Sequence, residues 1–97
     1  MVKHVVTFKF SGTTEERAKV AAEFKAALED MVGKVGVLQA IEVGINQNPN
    51  ETWDLVLTAT LATMADVPLY AKHPLHVAAT QIIAKNKQMR ACVDYVI

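Results

Sequence analysis

Residues 2–10 alternate without a break: Val2, His4, Val6, Phe8 and Phe10 fall on one side, and Lys3, Val5, Thr7 and Lys9 on the other. A period of two is that of a pleated strand, and the mainly apolar first set reads as a core face that a second layer must cover. The same alternation returns at Trp53, Leu55, Leu57, Ala59 and Leu61, with Asp54, Val56, Thr58 and Thr60 opposite. Two such strands need a connection, and the intervening sequence changes to a helical period. After the break at Ser11-Gly12, Thr13 and Glu16 have the spacing of a capping box. Over residues 14–32, Val20, Phe24, Leu28 and Met31, with Ala21, Ala27 and Val32, form one apolar stripe, and Gly33 ends the helix.

Residues 38–45 read as another strand and residues 46–50, rich in Asn with one Pro, as a loop. Residues 63–88 return to helix. Thr63 or Asp66 caps its start, with Pro68 favouring Asp66, and a second start is expected at His73-Pro74. Residues 89–97 close the chain as a fourth strand. The order β-α-β-β-α-β over a single domain, residues 1–97, predicts an α+β, ferredoxin-like protomer: a four-stranded antiparallel sheet with helices on one face. The uncovered face, expected to carry Val5, Thr7, Val56, Thr58, Cys92 and Val96, is too apolar for solvent alone. A homodimer, with a second sheet against it, is the expected solution.

Composition narrows the partners. Ten basic residues balance ten acidic ones in the 97-residue chain, so there is no basic excess to neutralise a nucleic-acid backbone or an anionic membrane. The sheet also lacks the paired exposed aromatics of a single-stranded RNA platform. At 52% hydrophobic residues the chain is too apolar for disorder. Cys92 is the only cysteine, which closes the intrachain disulfide route and suits a cytoplasmic location. Lys3, His4 and Lys9 interrupt the N-terminal apolar residues, so neither a signal peptide nor a membrane span is expected there. The sequon Asn50-Glu51-Thr52 is then a chance match.

The three histidines are the side chains whose ordinary pKa lies near neutrality. His73 and His76 are three apart across a helix start, and Tyr70 is three before His73. His4 lies on the strand face that the helices should cover. Together they describe a polar cluster beside an apolar cavity, the makeup of a small-molecule site. Each has a plainer reading: His4 as a core residue bonded to backbone, His73 as a helix cap beside Pro74, Tyr70 as a packing aromatic. Helix formation asks for no imidazole at position 76. A metal is not expected, because there is neither a Cys pair nor a His-Glu-x-x-His motif.

The segments Val2-Lys3-His4-Val5-Val6 with Phe8-Lys9-Phe10, Tyr70-Ala71-Lys72-His73-Pro74-Leu75-His76-Val77 and Val93-Asp94-Tyr95 resemble the stress-responsive A/B barrel (Dabb) family of dimeric α+β barrels. The His-Pro-x-His-Val segment is the most specific part. The resemblance implies two protomers pairing their sheets into a barrel. One branch, the plant polyketide cyclase that makes olivetolic acid, implies site roles: His76 as general base, Tyr70 as the residue that orients and hydrogen-bonds the substrate, His4 as a second polar residue of the pocket; His73 and Phe24 are the further residues expected to contact a ligand. The implied chemistry is a cofactor-free intramolecular aldol condensation of a polyketide-like ligand. The first helix, built from small residues such as Ala21, Ala22, Ala26 and Ala27, departs from that cyclase. Two other readings stand beside it: a non-catalytic stress-associated structural or binding protein, and a cofactor-free monooxygenase of the related barrel type.

Overall fold

The N-terminal alternation becomes β1 (Val2–Phe10) of a computed structural model describing residues 1–97. It is followed by α1 (Thr14–Glu29), β2 (Ala40–Ile45), β3 (Leu55–Leu61), α2 (Asp66–Lys72), α3 (Pro74–Ile83) and β4 (Lys87–Val96). The four strands form one antiparallel sheet in the order β2-β3-β1-β4, the expected ferredoxin-like arrangement. Every even residue of β1 from Val2 to Phe10 is buried and every odd one is only partly so. The alternation is thus the difference between the helix-covered face and the open one. Phe8, Phe10, Leu55, Leu57, Ala59 and Leu61 meet Phe24 and Leu28 of α1 and Ile83 of α3 in one continuous core. No helix is long and apolar enough to cross a membrane.

Thr13 caps α1 as expected, its Oγ1 accepting from the Glu16 amide at 3.1 Å. The helix stops at Glu29 rather than running to residue 32. Met31, Val35 and Leu38 then bury themselves over the helix end through a turn at Gly33, whose φ is +86°, while Val32 points outward and is exposed. Leu38 still bonds back to the Val35 carbonyl at 3.0 Å, the Gln39 amide makes the first bond across to Thr60 of β3 at 2.9 Å, and β2 itself starts at Ala40. Trp53 also departs from the alternation: it precedes β3, stays outside the core, and lines a hollow with Thr7 and Val56.

The second helical region is two helices. His73 adopts an extended conformation, which a residue before proline prefers, and its Nδ1 accepts from the Leu75 amide at 3.1 Å to start α3. The start of α2 is a correction. Ala65 occupies the cap position and makes no side-chain cap bond, while Asp66 lies in the first turn and accepts from the Thr63 amide at 3.3 Å.

The faces of β4 are a second correction. Cys92 lies opposite Val6 and Val96 opposite Val2, and directly opposed residues share a face. Both therefore belong to the helix side, and Ala91, Val93 and Tyr95 take their place on the open face with Val5, Thr7, Val56 and Thr58. The strand begins at Lys87, and a register shift between Lys9 and Phe10 adjusts the parity that the sequence alone leaves undefined.

Gly12, at φ +110°, joins β1 to α1. A Cβ there would stand 2.7 Å from Glu16 Oε2 and 3.3 Å from Asn86 Nδ2. The glutamate can swing away, but Asn86 is buried and donates to the Ser11 carbonyl at 3.0 Å. Gly12→Ala is expected to cost about 1–3 kcal/mol, the range for strained backbone, seen as a lower urea midpoint with unchanged slope.

Candidate functional site

His4 is 6% exposed, on the helix side of β1. Register places Asp94 directly opposite, and His4 Nδ1 meets Asp94 Oδ1 at 2.5 Å. Cys92, two residues earlier on the same face of β4, brings its Sγ to 3.6 Å from His4 Nδ1 and 3.8 Å from Asp94 Oδ1. Burial and the Asp94 carboxylate push the thiol pKa up, against the opposing pull of Arg90. Cys92 is therefore a thiol in the ligand-free protein.

The helical layer supplies the rest. In a continuous helix the Leu75 amide would bond the Ala71 carbonyl, four residues back. His73 has taken that amide, so the carbonyl is free to accept from His76 Nδ1 at 3.0 Å. A carbonyl accepts only, which fixes the proton of the neutral imidazole on Nδ1 and leaves the lone pair on Nε2. Burial lowers the His76 pKa; the carbonyl bond opposes this, while the electrostatic influence of the neighbouring His4 and Arg90 adds to it. His76 is thereby a neutral base at neutral pH.

Tyr70 of α2 is wholly buried, its ring centroid 4.6 Å from that of His76 and 5.7 Å edge-on from that of His4. Its hydroxyl has no hydrogen-bond partner, and burial raises its pKa well above the ordinary phenol range, so it stays protonated.

His4 and His76 line a cavity of about 510 Å³, with Phe8, Phe24 and Leu57 as apolar wall and Cys92, Asp94, Arg90 and Lys87 along the β4 side. Phe24 stands edge-to-face on Phe8 at 5.5 Å. Of the residues expected in the site, the fold brings His4, His76 and Phe24 to the cavity and packs Tyr70 against both histidines. His73 is not among the lining residues and serves as the α3 cap. His73→Ala is expected to lower stability by about 1 kcal/mol in chemical denaturation, as loss of a cap does, and to leave ligand binding in the cavity intact. Sequence reasoning missed Asp94, Cys92 and Arg90. Their signal was the two-residue spacing 90, 92, 94, which has meaning only once β4 is registered against β1.

Fold and site together define a ferredoxin-like α+β protein with a small-molecule-sized cavity between its sheet and helices. The profile of the Stress responsive A/B Barrel Domain matches residues 2–97, and the chain belongs to that family. It is similar to a dimeric protein of unknown function and ferredoxin-like fold from Bacteroides fragilis, at 46% identity over 99% of this chain and 95% of that one, with a TM-score of 0.96. More distant similarities show the shared fold. They include a hydroxynitrile lyase from Passiflora edulis (13% identity, 99% and 92% covered, TM-score 0.70) and an antibiotic biosynthesis monooxygenase (12% identity, 100% and 98% covered, TM-score 0.78). No curated protein sequence matches the chain.

Proposed function

We propose that the cavity binds a small carbonyl compound bearing an acidic C–H, and that His76 removes its proton to start an intramolecular aldol reaction of the polyketide-cyclase kind. The observation that carries this reading is the geometry of His76: Nδ1 held by the Ala71 carbonyl, Nε2 free, and a lowered pKa at the wall of an apolar cavity. In the first step the proton of a β-dicarbonyl carbon passes to Nε2 and its electron pair becomes an enolate. Arg90 and Lys87, which face the same cavity, oppose the developing negative charge. The enolate carbon then attacks a second carbonyl of the same chain, and the new alkoxide takes back the proton from the imidazolium. No oxidant, reductant or cofactor enters the balance.

In this reading Tyr70, wholly buried and not among the residues that line the cavity, positions His4 and His76 through its ring. The His4–Asp94 pair holds the β1 side of the cavity. The functional unit is a homodimer joined through the open sheet face, as supported by the dimeric Bacteroides fragilis structure and by the exposure of Val56, Val93 and Tyr95. The test is incubation with a short linear poly-β-ketone thioester, the cyclised product being followed by mass spectrometry. Faster cyclisation than in buffer is expected. A ligand that raises the melting temperature without any acceleration would identify a binding protein instead.

A further inference from the structure

His4, Cys92 and Asp94 bring three different metal-ligand atoms, Nδ1, Sγ and Oδ1, within 4.8 Å of one another. They come from one face of two paired strands, so no local sequence spacing reveals them. The triangle has edges of 3.6 Å (Sγ to Nδ1), 3.8 Å (Sγ to Oδ1) and 2.5 Å (Nδ1 to Oδ1). Tetrahedral zinc with ordinary Zn–N, Zn–S and Zn–O lengths sets its ligands about 3.6 Å apart for sulfur to N or O and about 3.4 Å apart for N to O, so two edges already fit and the third must open by about 0.9 Å. That opening is what replacing a shared proton by an ion requires, and it falls on a carboxylate whose side chain is one-quarter exposed.

We propose that His4 Nδ1, Cys92 Sγ and Asp94 Oδ1 form a three-ligand site for a divalent cation of the zinc class, with its fourth position open to the cavity. On binding, the Sγ–metal bond forms as the thiol proton leaves to solvent, and the Nδ1–metal bond forms as the imidazole proton moves to Nε2. Thiolate and carboxylate together balance the two positive charges of the ion. Arg90 and Lys87 face the same cavity and disfavour a neutral fourth ligand. The site therefore takes an anionic oxygen there, a hydroxide, a carboxylate or an enolate. The metal site does not depend on the aldol reading, since its ligands exclude His76.

The test is titration of the metal-free protein with Co²⁺, and separately with Zn²⁺ in competition. One Co²⁺ per chain is expected, with a thiolate-to-cobalt charge-transfer band and the intense visible bands of a tetrahedral ion, both removed by Zn²⁺. Cys92→Ser should abolish the charge-transfer band, and Asp94→Asn should weaken binding at least tenfold. Circular dichroism confirms that each variant is folded. In the wild type Zn²⁺ should raise the melting temperature, and in Cys92→Ser it should not. Absence of the band in the wild type, or equal affinity in Cys92→Ser, overturns the site. Loss of Co²⁺ binding in His76→Gln with retention in Cys92→Ser would place the ion on the helical histidines and overturn it equally.

Discussion

His76→Gln is expected to slow cyclisation by a factor of about 10²–10⁴, the usual contribution of a positioned general base, while leaving the chain folded. Glutamine is the informative replacement because its amide can still donate to the Ala71 carbonyl, which alanine would leave without its partner. The pH profile supplies an independent check. Because burial lowers the His76 pKa, the acid limb of the wild-type rate should lie below the ordinary imidazole value of about 6.5.

Stability should follow the same direction. In the unfolded chain the imidazole takes up a proton as pH falls through about 6.5, whereas folded His76 resists it to lower pH. Over that interval the unfolded state binds more protons. The contribution of His76 to stability is thus complete above the unfolded value and declines as pH falls towards the folded one. His76→Gln should flatten that decline, as measured by denaturation midpoints across the acid range. An acid limb unchanged in the glutamine variant would assign it to another group.

Val93→Asp is expected to convert the proposed dimer to monomer. Val93 is 62% exposed in the single chain and lies on the open face midway along the edge strand β4, paired with Val5 in register. Two-fold symmetry places two copies of the substitution in each interface. Burying one valine contributes about 1.5–3 kcal/mol, so losing two weakens association by about 3–6 kcal/mol, some two to four decades in Kd. Desolvating a carboxylate adds to that. Sedimentation at micromolar concentration reads the result directly. A wild-type monomer would remove the dimer, and a variant that stays dimeric would move the interface off this face. Cys92, on the helix side of β4, does not serve for this purpose.

The helix-covered face was legible in the chain because period-two alternation over β1 and β3 has one solution when a single face is buried. The two helix starts at Thr13 and His73 were legible because a cap is a local hydrogen bond between residues two or three apart. The end of α1 was not. Met31 and Val32 continue the apolar stripe, and only the packing of Met31, Val35 and Leu38 against the layer beneath separates core from surface there. The parity of β4 was equally hidden, since its residues alternate weakly and all but Cys92 are exposed.

His4, His76, Tyr70 and Phe24 could be singled out from their residue types and from the faces that periodicity assigns them. Periodicity left His73 as either cap or ligand contact; the hydrogen bond to Leu75 makes it the cap. The partners of His4 lie about ninety residues away and are reached only through antiparallel pairing. The sequence by itself determined the order of elements, the buried face of the sheet and the break before Pro74, because each follows from steric and hydrogen-bonding rules acting within a few residues. The tertiary structure alone decided that Cys92 and Asp94 stand beside His4 and that the Ala71 carbonyl is free to hold His76. Both depend on strand register or on a hydrogen bond that another residue has already taken, and neither leaves a local trace in the chain.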